Sequence, residues 1–182
     1  MATSILIPKV VDLCRGRVSP LSGKPVYVVA AGGIFDGRGL AMALALGAQA
    51  VWVGTRFVCA KEAGAPASHQ QAILGADYHD TIRTTIFTGR PMRVLKNEYI
   101  SEWEEAKLIQ NKALIAKGVI PISTDFNEER PLPASLHPFL MGQCAAAVTS
   151  IEPAAKIIHD MMSTAVAVIT HSHALIKPAA RL

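Results

Sequence analysis

The sequence predicts an α/β fold built on parallel strands. Two short apolar runs, residues 26–31 and 50–53, each end beside glycine, and an alanine-rich segment with helical spacing separates them. Strand, helix and strand within about 30 residues form a βαβ unit, whose strands are parallel and joined by a right-handed crossover. The composition agrees: 51% of the 182 residues are hydrophobic but only 5% are aromatic, as is typical of helices packed on a buried parallel sheet.

Local signals place the helix between these strands at residues 37–46. Asp36 precedes it, and aspartate is a favoured N-cap because its carboxylate accepts hydrogen bonds from N–H groups of the first turn. Gly47 follows it, and glycine readily adopts the left-handed conformation that ends a helix.

A short helix over residues 5–14 is expected before the first strand. Pro8 falls in its first turn, where the missing N–H is harmless, and the apolar residues 7, 10, 11 and 14 share one face. The segment 15–25, rich in glycine, proline and cationic residues, is expected to be a loop.

Downstream of the second strand the chain is expected to be mainly helical. Residues 57–76 have helical spacing with breaks at Gly64 and Pro66. The β-branched segment 81–87 is typical of a strand. Residues 92–96 either pair back on it as a strand or start the next helix, and the sequence leaves both open.

A helix and a long loop are expected next. Ser101 is expected to cap a helix over 102–117 that ends at Gly118, and the proline-rich residues 119–139 are expected to form a long ordered or lid-like loop.

The last helix is expected to begin at a capping box, Thr149-x-x-Glu152, with Pro153 in its first turn. The tail 177–182 is expected to fray. The apolar stripe of this helix should face the core; it comprises Ile151, Ala154, Ala155, Ile158, Met162, Ala165, Val166 and Ile169.

Charge and cysteine content exclude several classes of protein. The formal net charge of +4 is spread along the chain without a basic block, so nucleic acid is not an expected partner. The three cysteines are far apart and odd in number, which predicts neither a disulfide framework nor a metal site. No apolar run approaches the roughly 20 residues of a membrane span, and no signal-peptide core is recognised, so we expect a cytoplasmic protein without a membrane partner.

The two glycine-containing strand ends predict a phosphate-binding site. Ligands of parallel α/β folds bind at the carboxyl ends of the strands, where Gly32-Gly33 and Gly54-Thr55 lie. Glycine leaves backbone N–H groups unshielded, Thr55 adds a hydroxyl donor, and a helix that starts after Gly33 would direct its positive end at the same place. The alternative is that these glycines only permit tight turns and close helix–sheet packing.

Other candidate residues are weaker. The chain contains neither the G-x-G-x-x-G nor the G-x-x-x-x-G-K-[ST] nucleotide motif. Cys59 is expected to be a buried structural thiol rather than a nucleophile. The pair His171 and His173 lacks a third ligand nearby in sequence. The histidines are expected to be surface or hydrogen-bonded residues; they are His69, His79, His137, His159, His171 and His173.

Residues 26–57 resemble the C-terminal half of nitronate monooxygenases, also called 2-nitropropane dioxygenases. The motif is AAGGIFDGRGLAMALALGAQAVWVGTRF, and the segments SILIPKVVDLC, TGRPMRVLKN and IEPAAKII also match that family. The resemblance implies the C-terminal part of a (β/α)8 TIM barrel over residues 1–80, with its last two parallel strands and helices. It implies a mostly helical extension over residues 81–182.

The resemblance also implies a function. Enzymes of this family oxidise alkyl nitronates with O2 through FMN. The matching positions imply that the FMN phosphate is held by Gly32, Gly33, Trp52, Val53, Gly54 and Thr55, with Trp52 and Val53 mainly shaping the strand end. No metal is implied.

One departure concerns catalysis. The family's catalytic base is a histidine in a glycine-flanked loop upstream of the first helix, and this sequence starts at that helix, so no catalytic residue is assigned. We therefore expect either a fragment of a barrel, or a chain whose barrel is completed by self-association or by a partner chain. The alternatives are a non-catalytic half-barrel that binds phosphate or FMN, or another barrel enzyme similar to inosine-monophosphate dehydrogenase or to a flavin enoyl reductase.

Overall fold

The computed structural model describes residues 1–176, so the expected fraying of residues 177–182 lies outside the described part. The chain forms two compact units: the first combines residues 1–64 with the chain from Ser150 onward, and the second is residues 65–149. The last helix packs back on the core of the first unit; the expected division into a barrel part over residues 1–80 and an extension over 81–182 stays a prediction.

The elements follow in chain order. The helices are α1 Thr3–Cys14, α2 Gly37–Ala45, α3 Thr55–Val58, α4 Ala67–Leu74, α5 Glu98–Glu104, α6 Leu108–Ala116 and α7 Ala154–Leu175. The strands are β1 Val29–Ala31, β2 Ala50–Trp52, β3 Thr81–Thr84 and β4 Met92–Leu95. The molecule is therefore of mixed α/β class. Within residues 1–176, no helix is long and apolar enough to cross a membrane.

The predicted βαβ unit is present in the first unit. β1 and β2 pair in parallel, with Val29 opposite Ala50 and Ala31 opposite Trp52. β1 is shorter than predicted because, at its start, the side chain of Gln49 takes the place of a backbone hydrogen-bond acceptor. Gln49 Oε1 accepts a hydrogen bond from the Val28 N–H at 2.7 Å, and the Gln49 N–H donates to the Val28 carbonyl at 2.9 Å.

The ends of α2 are as predicted. Asp36 Oδ1 accepts from the Gly39 N–H at 2.9 Å, which satisfies one of the unpaired donors of the first turn. Gly47 has a φ of +95°, a conformation that glycine adopts without a steric penalty.

Helix α7 packs against α2 through only part of the predicted stripe: Ala165 is buried and Ala154 packs against the core as predicted, but other positions differ. Its buried residues are Ile157, Met161 and Ala165, whereas Ile158 and Met162 of the predicted stripe are 53% and 54% exposed. The contact at Gly37 accounts for this choice. A Cβ atom there would lie 2.5 Å from the Met161 carbonyl oxygen and 2.7 Å from the Ala165 nitrogen.

The predicted capping box of α7 is wrong. The backbone of Glu152 pairs with the segment after α3 instead: its N–H donates to the Cys59 carbonyl and its carbonyl accepts from the Lys61 N–H. The Glu62 carboxylate then takes the expected capping role, since its Oε2 accepts from the Ala154 N–H at 2.8 Å.

The position of Pro8 also differs from the prediction. Because α1 begins at Thr3, Pro8 lies inside the helix rather than in its first turn. Proline has no N–H, so this helix lacks one interior hydrogen bond. Its attachment to the unit depends on packing, with Ile7 buried in the core.

In the second unit, residues 92–96 form a strand and not the start of a helix. β4 pairs antiparallel with β3, with Thr81 opposite Leu95. The helix predicted over 102–117 is divided into α5 and α6, and its cap is Asn97 rather than Ser101, since Asn97 Oδ1 accepts from the Ile100 N–H at 2.9 Å. Residues 119–139 are ordered by two 3-10 turns, Pro121–Thr124 and Ala134–Leu136.

A polar cluster links β3 to α5 and α6. Glu104 Oε1 accepts from Thr84 Oγ1 at 2.6 Å and from Asn111 Nδ2 at 3.2 Å. Thr84 and Asn111 are 1% and 2% exposed, so water has little access to these groups. The apolar core beside the cluster contains Ile86, Val94, Ile100 and Trp103.

Replacing Gly37 with alanine should destabilise the first unit. The added methyl group collides with the backbone of α7, which cannot move without separating the two helices, and we expect a loss of about 1–3 kcal/mol in the free energy of unfolding. Urea denaturation followed by circular dichroism measures it. The matched control is Arg38→Ala, at the exposed next position of α2, for which we expect a change within about 0.5 kcal/mol. Equal stability of the two variants would contradict the close packing at Gly37.

Replacing Thr84 with valine should destabilise the second unit. The substitution keeps the shape but leaves the Glu104 carboxylate oxygen without its 2.6 Å donor, at an expected cost of about 1–3 kcal/mol. The same denaturation experiment measures it. Thr88→Val is the control, because the hydroxyl of Thr88 is exposed and bonds only across a turn, where water can replace it. A larger loss for Thr88→Val than for Thr84→Val would show that the cluster does not stabilise this unit.

Candidate functional site

The parallel register brings the two glycine-containing strand ends to one edge of the sheet. Ala31 lies opposite Trp52, and Gly33 and Gly54 each follow two residues later. Neighbouring strands lie about 4.8 Å apart. The two glycine-containing segments therefore follow the strands at the same position along the sheet.

The glycines at this edge differ in backbone conformation. Gly32 and Gly33 have φ values of +97° and +74°, which favour glycine. Gly54 has a φ of −99°, which any residue can adopt. A Cβ atom at Gly33 or at Gly54 would meet nothing within 4 Å. Neither backbone conformation nor packing within the described residues therefore accounts for glycine at position 54.

Hydrogen-bond donors are available at the same edge. Among residues 1–176, the N–H groups of Gly33 and Gly54 have no hydrogen-bond acceptor. The Gly54 carbonyl accepts from the Phe57 N–H at 2.8 Å, so α3 starts directly at the edge with Thr55 as its first residue. Open space beside unused N–H groups is the arrangement that an anionic oxygen can approach.

Helix α2 contributes less than expected. The carboxylate of Asp36 caps its N-terminus, as the sequence predicts. A negative charge already faces the positive end of its dipole. The dipole of α2 is therefore not an unopposed positive end at this edge.

Trp52 and Val53 differ in their surroundings. Val53 packs against the apolar core of the first unit together with Val51. Trp52 is 74% exposed, as is expected for the opposite face of the sheet, because successive side chains of a strand point in opposite directions. Val29 of β1 is also exposed and lies on the same face of the sheet as Trp52.

Cys59 is buried, as the sequence predicts. It is 0% exposed, and burial raises the pKa of its thiol, while the nearby charge of Arg56 lowers it by less. The protonated thiol is the poorer nucleophile. Arg56 itself acts structurally: its Nη1 donates to the Ser150 carbonyl at 2.6 Å, which holds the segment before α7.

The histidines offer no metal centre in the part of the chain that the structure describes. Between Met1 and Ile176 no group of three His, Cys, Asp or Glu side chains could hold a metal ion. His69 forms a hydrogen bond with the Leu140 carbonyl at 2.8 Å. His171 and His173 lie on exposed turns near the end of α7.

Comparison with known proteins assigns the chain to a family. The family model described as nitronate monooxygenase matches residues 2–164. A putative monooxygenase of Mycobacterium tuberculosis is 30% identical over 168 residues, which are 89% of this chain and 42% of that protein. A probable nitronate monooxygenase of Staphylococcus saprophyticus is 38% identical over 105 residues, 58% of this chain and 27% of that protein.

The fold is shared with a solved structure. FabK from Thermotoga maritima superposes with a TM-score of 0.69 at 30% identity, over 97% of this chain and 52% of that one. The chain thus spans about half the length of that structure and less than half of the two sequence relatives. The family match covers nearly all described residues, so the chain belongs to the nitronate monooxygenase family, which is a family of oxidoreductases.

Proposed function

We propose that this chain is the FMN-binding part of an oxidoreductase that oxidises alkyl nitronates with O2. The edge formed by Gly32-Gly33 and Gly54-Thr55 would hold the phosphate of FMN. The observation that carries the proposal is Gly54, where glycine has an ordinary φ and open space around it. A closely approaching ligand explains a missing side chain that neither the backbone nor the packing requires.

The chemistry of the edge suits a phosphate group. A phosphate dianion accepts several hydrogen bonds and favours backbone N–H donors arranged on a concave surface. The N–H groups of Gly33 and Gly54 are available and come from adjacent strands. Trp52 and Val53 would shape the end of β2 rather than bind the phosphate.

The barrel assignment belongs to the same proposal. β1 and β2 are parallel and carry helices on one face, where Ala30 is buried. On the other face Val29 is 50% exposed and Trp52 is 74% exposed. This arrangement fits the last two strands of a (β/α)8 barrel, in which that face points to the barrel interior and ligands bind at the carboxyl ends.

The chain's own residues have a limited part in the reaction. Bound FMN supplies the electron acceptor; the residues described here would bind and orient it through its phosphate. The histidines of residues 1–176 lie on α7 or in the second unit, and we assign none of them as a catalytic base.

Replacing Gly54 with alanine should weaken FMN binding at least about tenfold, because the methyl group occupies space that the phosphate needs. Quenching of flavin fluorescence on titration with the purified chain measures the dissociation constant. Gly64→Ala is the matched control: a Cβ atom at Gly64 also meets nothing within 4 Å, but Gly64 lies outside the edge. Equal FMN affinity of the two variants would count against a phosphate at Gly54.

The substrate assignment has its own test. A nitronate has already lost the α-proton, so its oxidation needs no catalytic base, whereas a neutral nitroalkane must first be deprotonated. We expect the FMN-loaded chain to consume O2 with propyl-2-nitronate faster than free FMN does, and to be much slower with 2-nitropropane. An oxygen electrode measures both rates. FMN binding without nitronate-dependent O2 uptake would favour the non-catalytic half-barrel.

A further inference from the structure

Thr3 connects the start of α1 to the first glycine pair. Its Oγ1 donates a hydrogen bond to the Gly32 carbonyl at 3.1 Å, across 29 residues of sequence. Thr3 is the first residue of α1, and its hydroxyl would lie 3.8 Å from a Cβ atom at Gly32. The contact is therefore close without crowding the turn.

Because the peptide is planar, this hydrogen bond also sets the direction of the Gly33 N–H. The described backbone contains no cis peptide bond, and in a trans peptide the C=O and the next N–H point in opposite directions. Holding the Gly32 oxygen towards Thr3 therefore directs the Gly33 N–H away from α1.

This peptide plane needs an anchor because both of its residues are glycine. Gly32 and Gly33 lack the Cβ atoms that restrict rotation in other residues, so the plane between them can rotate at little steric cost. Rotation would change the direction of the Gly33 N–H. The side chain that opposes it is the hydroxyl of Thr3, which holds the carbonyl of the same peptide.

We propose that Thr3 is a positioning residue: its hydroxyl fixes the Gly32-Gly33 peptide so that the Gly33 N–H is presented to the FMN phosphate. The inference rests on the proposed function, since it assumes an anion at this edge. It assigns Thr3 to the site although Thr3 lies 29 residues before Gly32 in sequence and would not itself contact the phosphate.

The fold itself does not depend on this hydroxyl. α1 is held by Ile7, which is 4% exposed, and by Val11, whose Cγ1 would lie 2.8 Å from a Cβ atom at Gly47. The side chain of Thr3 is only partly buried. Loss of its oxygen should therefore leave the helix in place.

The test compares Thr3→Val, which keeps the shape and removes the donor, with Thr3→Ser, which keeps the donor. We expect Thr3→Val to weaken FMN binding about five- to tenfold, Thr3→Ser to bind within about twofold of the unaltered chain, and the exposed neighbour Ser4→Ala to have no effect. Riboflavin, which has no phosphate, provides the second readout. Its affinity should be the same for the unaltered chain and for Thr3→Val.

The outcomes distinguish a failure of this inference from a failure of the proposed FMN binding. If the unaltered chain binds FMN and Thr3→Val binds it equally well, Thr3 does not position the peptide. If Thr3→Val weakens FMN and riboflavin alike, or lowers the thermal unfolding midpoint as much as it lowers affinity, its role is structural and the inference is overturned. If the unaltered chain binds no FMN, the proposed function fails first.

Discussion

The parallel register of β1 and β2 is the constraint on which the candidate site depends. Ala31 lies opposite Trp52, and this pairing brings Gly33 level with Gly54. A shift by one residue would break that alignment and exchange the buried and exposed faces of one strand. Gln49 holds the register at the opposite end, since its side chain accepts from the Val28 N–H and donates to the Gly47 carbonyl.

The glycines of the first unit are explained by different physical constraints. Gly37 is required by packing, because α7 leaves no room for a side chain. Gly32 and Gly47 are required by conformation, since their φ values are positive. Gly54 meets neither condition. The sequence predicts the role of Gly47 from its place after a helix, whereas the close contact at Gly37 and the open space at Gly54 depend on the three-dimensional packing.

Local signals were sufficient for the βαβ unit and insufficient for α7. The Asp36 cap and the Gly47 stop depend on atoms within a few residues, so the sequence carries them directly. On α7 the adjacent pairs at 157–158 and 161–162 create two overlapping apolar stripes. Which stripe is buried depends on the long-range contact with Gly37. The capping of α7 by Glu62 is equally non-local.

The proposed phosphate site and the chemistry of the enzyme are physically separable. In FMN the phosphate is joined to the reactive ring by the ribityl chain, so groups that hold the phosphate do not touch the reacting atoms. Backbone donors at Gly33 and Gly54, and Thr3 behind them, would therefore act on the occupancy and orientation of the cofactor. Groups that interact directly with the reacting atoms in the transition state lie at the ring. Sequence changes at this edge should accordingly alter how much flavin is bound more than how fast each bound flavin reacts.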